Sequence, residues 1–486
     1  MRRKKKQFIE DSNHNEQQPI DNAIEKRKRQ SNIKNGYLLA SSGTRAFSDA
    51  ILSPFLPLYG QSLGANSIQI GFIISITSLL SIAQLFWAFL AQKFKISRIL
   101  AIISSYIASL FNFVLLPIRS IYTFASMRGL HSITLSATIP TSANLVAERT
   151  HQRSWALRNS LMQGVLVIGT MIGTLIGGIL LWKIPTDLGY PAIFIGSGVI
   201  GLISAAFLHL AIPSRKRLIA KGRWQQIEEV DVTLSNTLAT IRSDRNFVVF
   251  LIVNFIFIFG TNLSGPFYIV FNTTLKPYNL TIIQAALLTS IGLIPQTIAS
   301  IITAKLIEKV RKKELLILAG IFVSFFPIFF MIPSLAGRET NVFWILIIIW
   351  CVNGLFWGII NSSLSILLLD IIHPRRRTLQ LAINNSLSAV ALFIAPIIGG
   401  FILEKTTTIY ILLIISAVFR FVGATLFGFV KEPIIGGTIL RPIQRVLPFI
   451  MRSNSERGVT IITSARQTNK TRIKPQKHKS LKKDIQ

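Results

Sequence analysis

The chain has 486 residues, half of them apolar and only 15% charged, with a mean hydropathy of +0.53; a soluble domain carries about a quarter of charged residues, so this composition excludes an ordinary soluble fold. The formal net charge of +32 points at first to nucleic acid. Lys and Arg, however, concentrate in the tails and in alternate connectors, which is a topology signal and not a binding face; no nucleic-acid partner is expected, and the basic tails suit anionic lipid.

Residues 1–36 form a polar, basic tail. Its start, M-R-R-K-K-K, has no apolar core with a small-residue cleavage site, so the first span is expected to direct insertion. Apolar runs of about 20 residues, long enough to cross a hydrocarbon core, lie near 37–61, 68–91, 97–117, 120–146, 155–182 and 190–211. Six more lie near 246–272, 281–305, 314–334, 341–371, 379–402 and 407–430. The organisation is an N-terminal six-helix bundle (37–211), a central loop (212–245), a C-terminal six-helix bundle (246–430) and a basic tail (431–486). Lys93, Lys95 and Arg98, then Arg149, Arg153 and Arg158, the central loop, Lys305–Lys313 and Arg375–Arg377 fall on the side of both tails; the opposite side has the nearly uncharged 60–68 turn and the sparse charges Arg119, Lys183/Asp187, Lys276, Arg338 and Glu404/Lys405. That asymmetry puts both termini in the cytoplasm and demands an even number of spans.

In the central loop, Trp224, Ile227, Val230, Leu234, Leu238 and Ile241 recur at helical spacing, as on an amphipathic helix; a plain surface linker accounts for them equally. In the last tail, L-R-P-I-Q-R-V-L-P-F-I-M-R (440–452) mixes Arg with bulky apolar residues, a composition that can lie on a membrane. Asn272 and Asn279 match glycosylation sequons. Cys351 is the single cysteine, so neither an intrachain disulfide nor a Cys-based metal site can form, and no metal is expected.

Ionisable residues inside spans carry the functional signal, because they are costly in hydrocarbon and ordinarily face a cavity or a partner. Arg45 and Asp49 stand at i,i+4 on one face of the first span. Asp49 lies roughly 20 Å along the span at helical rise, hence deep. Arg128 lies in the fourth span, in R-G-L-H-S. A carboxylate against an arginine can exchange its proton for substrate or conformation as its solvation changes. Asp49 is the expected proton acceptor and Arg128 the group that tunes it; mutual pairing of Arg45 and Asp49 alone is the plainer alternative. His131 reads as a buried structural histidine, Arg420 as snorkelling or paired, and Asp370 as a structural cap. Gln163, Asn254, Asn262, Gln296, Asn353 and Asn361, with Trp357, are the expected substrate cavity, apolar with a few amides. Gly265-Pro266 is expected to break the seventh span. No H-E-x-x-H, Walker loop or G-x-S-x-G is present, so neither enzyme nor cofactor is expected and the energy source is a gradient.

Residues 88–100 and 304–316 are similar basic hinges, and G-T-M-I-G-T-L-I-G-G ending at Gly178 is echoed by L-F-I-A-P-I-I-G-G ending at Gly400. Such duplication marks transporters built from repeats. The order of features resembles the major facilitator superfamily over nearly all of 37–430. Its hinge motif G-x-L-A-D-R-x-G-R-K/R is met by Ala88, Leu90, Ala91, Gln92 for the acid, Lys93 for the Arg, Lys95 for the second Gly, and Arg98. The second copy keeps an acid, Glu308, followed by Lys309, Lys312 and Lys313.

The resemblance implies a cytoplasmic gate of Gln92, Lys93, Arg98, Glu148, Glu308 and Lys309, with Glu308 as its working acid. Gly169, Gly173, Gly177 and Gly178 match the family's antiporter motif with Thr174 in place of Pro. The implied role is packing against the eighth span, associated with export; Pro396, Gly399 and Gly400 repeat it. In the family an Arg at the position of Arg128, followed by a small residue (here Ser132), is tied to proton coupling. The fold implied is all-α integral membrane, about twelve transmembrane helices in two pseudo-symmetric six-helix bundles. The function implied is proton-coupled export of a small, partly hydrophobic organic solute by alternating access, by a monomer in the cell membrane. Uptake or facilitated passage of a sugar or other metabolite is one alternative; a transport-dead sensor or scaffold is another.

Overall fold

The computed structural model describes residues 33–78, 83–84, 86–87, 90, 94, 96–138, 155–212, 244–274, 278–306, 310–336, 342–372, 377–406 and 408–432. Among them every regular element is helical, and each of the twelve expected spans carries a helix. Helix α1 comprises 33–52, a 3-10 turn Ser53–Phe55 and a short stretch Leu56–Ser62. Then follow α2 (Ser67–Ile76), α3 (Ser97–Val114), α4 (Ile121–Ser136), α5 (Trp155–Lys183) and α6 (Thr186–Ala211). In the second half, α7 is Arg245–Ser264 continued by a 3-10 turn Gly265–Phe267 and Tyr268–Thr274. It is followed by α8 (Ile282–Leu306), α9 (Lys312–Ser324 and Phe326–Ala336), α10 (Val342–Ile371), α11 (Arg377–Thr406) and α12 (Ile409–Leu426). The eight from α5 to α12 are long and apolar enough to cross a membrane on length and composition alone. The central loop (213–243), with its amphipathic pattern, and residues 440–452 lie outside the described residues.

The surface is apolar where that of a water-soluble protein would be polar, while the largely apolar core also takes in polar side chains. Ile99, Ile103, Ile107, Leu110 and Val114 form an exposed stripe on α3, and Ile411, Ile414, Val418 and Phe421 another on α12, while Ser48, Asn112, Arg128, Asn254 and Arg420 are buried. Exposed apolar residues at helical spacing, around an interior that also holds charged and amide side chains, fit a hydrocarbon solvent.

The two halves repeat the same break. Ser53-Pro54-Phe55 in α1 and Gly265-Pro266-Phe267 in α7 each form a 3-10 turn. Proline lacks the N–H for the i−4 bond and its ring clashes with that carbonyl, so the helix re-forms only past it. Within the first half, α1 is clasped to α6 by reciprocal serines. Ser41 Oγ donates to the Ser204 carbonyl (3.0 Å) and Ser204 Oγ to that of Ser41 (2.8 Å). One heptad along, Ser48 and Ser197 repeat the exchange at 2.7 and 2.8 Å. Small residues that bond across helices hold backbones close where no hydrophobic drive exists.

Tyr59 OH donates to the Ile118 carbonyl, Tyr190 packs on Tyr59, and Tyr278 OH donates to the Phe330 carbonyl. These contacts bring the α3–α4 connector and the start of α6 to the end of α1, and the α7–α8 connector to α9; a cavity lined by both Gln61 and Thr274 places the two groups at one end, the far end. The α6 C-terminus beside Leu38, and Asn246 bonded to Lys431, mark the opposite, near end. Asn272, one of the two sequons, is buried within α7 and is closed to glycosylation in this fold.

Candidate functional site

Helix α1 presents three faces. Ser41 and Ser48 meet α6. Gly43, Phe47 and Ile51 offer their backbone to α5, where a Cβ at Gly169, Gly173 or Gly177 would strike a carbonyl. The third face, at i, i+4 and i+8, carries Arg45, Asp49 and Ser53. Arg45 Nε lies 3.1 Å from Asp49 Oδ2; the Arg45 side chain is 15% exposed and that of Asp49 34%. From α4, Arg128 (5% exposed) reaches Ser53 Oγ with Nη2 at 3.4 Å and meets His131 Nδ1 with Nη1 at 3.2 Å. Asp49 and Arg45 both act electrostatically on Arg128, so the first-span pair and the fourth-span arginine form one cluster. No ion pair joins Asp49 to Arg128 directly.

The expected cavity amides separate. Asn254 is buried, with Nδ2 donating to Asn384 Oδ1 at 3.0 Å and to Ser388 Oγ at 3.3 Å, so it bridges α7 to α11. Asn262 donates to the Ile258 carbonyl of its own helix. Gln163 and Asn361 are exposed; Gln296, Asn353 and Trp357 are half-buried, with the Trp357 ring against Phe257. No hydrogen bond links any two of these seven among the described residues.

The halves meet at the far end. A Cβ at Gly400 would strike the Ser67 carbonyl of α2, one at Gly71 the Pro396 carbonyl of α11, and one at Gly178 the Cβ of Ala286 on α8. Ile269, Ala285 and Ala286 of the second half join the apolar cluster of the first, and Ile70 joins one of the second. Outside this seal lies a cavity of about 320 Å³, lined from both halves by residues including Gln61, Ser67, Phe271 and Glu404. Of the four α5 glycines expected on the eighth span, Gly178 lies against α8. Gly169, Gly173 and Gly177 face α1 instead, because residues four apart share a helix face and the next residue is turned by about 100°. Gly399 likewise meets Leu263 of α7 within its own half.

Of the expected gate, Gln92, Lys93, Glu148, Glu308 and Lys309 lie outside the described residues; Arg98 is half-buried at the start of α3. The second hinge is tied by acids that sequence reasoning did not assign to it. Lys312 Nζ pairs with Asp370 of α10. The Glu432 carboxylate accepts from the backbone N–H of Lys312 (3.1 Å) and Lys313 (3.3 Å), at an α9 N-terminus that lacks a side-chain cap. Arg420 does not snorkel: it is 3% exposed and bonded to the Gly260, Thr261 and Val323 carbonyls and to Ser264 Oγ.

Helices alone among the described residues, a hydrocarbon-facing surface, two repeated halves and a seal at one end make the architecture of a multi-pass membrane transporter. The sequence matches the profile of the Major Facilitator Superfamily over residues 38–275 and 250–442, and the chain belongs to that family. Among solved structures it is similar to the nucleoside transporter NupG, at 14% identity and a TM-score of 0.65 over 82% of this chain and 98% of that one. A point mutant of the same transporter aligns at 14% identity and 0.66, over 82% and 100%. At that identity the likeness is one of fold. No curated protein sequence matches the chain.

Proposed function

We propose that the protein is a proton-coupled carrier of a small, partly hydrophobic organic solute, with Asp49 as the proton site and Arg45 and Arg128 as its partners. The observation that carries this reading is a one-third exposed carboxylate on a span whose neighbours Ser48, Ala50, Ile51 and Leu52 are buried, held in the field of two arginines. Opening and closing the bundle changes the solvation of such a group and hence its proton affinity. The carrier acts as a monomer in the cell membrane with its termini and near end in the cytoplasm, its basic tails against anionic lipid. In the described state it is then sealed from the outside.

Export is the direction implied by likeness to the antiporter motif. Three of that run's four glycines pack on α1, so the run argues only for tight packing, and the same assay must read direction. A second reading, uptake of a nucleoside-like metabolite, draws on the likeness to the nucleoside transporter NupG. The test is transport by the purified protein in proteoliposomes under pH gradients of either sign, with nucleosides among the solutes. Asp49→Asn is expected to abolish gradient-driven accumulation while leaving exchange without a gradient; accumulation that survives the substitution refutes the assignment.

A further inference from the structure

The α1–α4 cluster holds more donors than acceptors. Among buried side-chain atoms without a hydrogen-bond partner, Arg45 Nη1 and Nη2, Arg128 Nε and His131 Nε2 all belong to it. A guanidinium only donates, so the His131 Nδ1 that meets Arg128 accepts, and the ring proton sits on Nε2. All four orphan atoms are therefore N–H donors. Charge tilts the same way, since two guanidinium groups face one carboxylate, and Asp49 engages Arg45 through Nε alone.

Arg420 supplies the comparison within the same chain. It is as buried as Arg128, yet each of its three nitrogens meets a carbonyl or hydroxyl oxygen. Where an arginine is structural, this fold provides its acceptors; at Arg45 and Arg128 it leaves them wanting. We propose that the Arg45–Arg128–His131 cluster is the binding site for an oxyanion, a carboxylate or phosphate group carried on an otherwise apolar solute. This rests on reading the cluster as the transport site and narrows the cargo to an organic anion. The guanidinium fork suits either group, through paired N–H bonds. Access is through the exposed edge of Asp49 and Ser53. Met127, next to Arg128 on α4, belongs to the adjoining apolar core.

The test is thermal unfolding of the full-length protein in detergent with benzoate, phenyl phosphate, benzamide or benzylamine. One or both anions are expected to raise the Tm, and the neutral amide and the cation are not; benzoate alone indicates carboxylate, phenyl phosphate alone indicates phosphate. In Arg45→Gln, anion affinity falls by about tenfold or more, the loss of a charge-assisted bond. Arg45→Lys, which keeps the charge and loses the fork, falls less. Asp49→Asn removes the competing carboxylate and binds the anion more tightly even as coupled transport fails, so the two readings fail separately. Equal stabilisation by benzamide, no shift with either anion, or an unchanged anion affinity in folded Arg45→Gln overturns the proposal.

Discussion

Arg420 sits on α12, where the described residues offer it no carboxylate, and its charge is dispersed over carbonyl dipoles of α7 and α9. The Thr261 carbonyl lies beside the Gly265-Pro266 break, and Gly260 brings α7 so close to α12 that a Cβ there would strike the Arg420 amide. Arg420→Met is therefore expected to cost on the order of 3 kcal/mol, the worth of hydrogen bonds to a buried charge, read as a fall in Tm in detergent. Arg420→Lys should not restore it, because an ammonium is a point charge and cannot reach acceptors on two helices at once. A Tm equal to that of the unsubstituted protein in Arg420→Met would show the contact to be idle. Partners of this kind leave no mark in the sequence, since any residue carries a carbonyl. The Arg45–Asp49 pair was legible because both partners are side chains at a fixed helical spacing. Asn254 was legible as polar and buried, but a lone amide has the same signature whether it reads a solute or bridges to Asn384.

Each Gly-Gly pair serves two interfaces at once. In α5, Gly177 admits the Ile51 carbonyl of α1 and Gly178 admits α8; in α11, Gly399 admits the Leu263 carbonyl of α7 and Gly400 admits α2. The first glycine of each pair thus holds its own half together, and the second holds the halves against each other. Alanine at the first should strain a bundle that stays packed throughout the cycle, lowering the Tm by an amount equivalent to about 1–3 kcal/mol. Alanine at the second should instead weaken the far-end seal. Ile70, buried there, reports on it: in a Cys351→Ser background, Ile70→Cys should react with a maleimide severalfold faster in Gly178→Ala or Gly400→Ala than in Gly177→Ala or Gly399→Ala. Equal rates in all four would remove the division of labour. The glycine runs were plain in the sequence, but their partners depended on helix rotation, and four residues assigned to one neighbour in fact face two.

At the scale of the molecule, the twelve spans were legible because apolar runs and their charged connectors are set by the bilayer, which acts on each helix separately. Which end is closed was not legible, because one sequence must encode every state of the cycle. Here the far end is closed by backbone contacts of Gly71, Gly178, Gly400 and Pro396 and by apolar clusters shared between the halves. If alternating access operates through this seal, holding it shut must stop turnover without unfolding either half. Ser67 of α2 and Leu403 of α11 line the same cavity from opposite halves. In a Cys351→Ser background, a short reducible cross-link between Ser67→Cys and Leu403→Cys is expected to abolish net transport in proteoliposomes, with recovery on reduction. Each single cysteine variant should be unaffected by the reagent. The Tm of the cross-linked protein should not fall, since the link joins surfaces already in contact. Transport that persists through complete cross-linking would mean that the solute does not pass between the halves at this end, and the rocking of one bundle against the other would lose its physical basis.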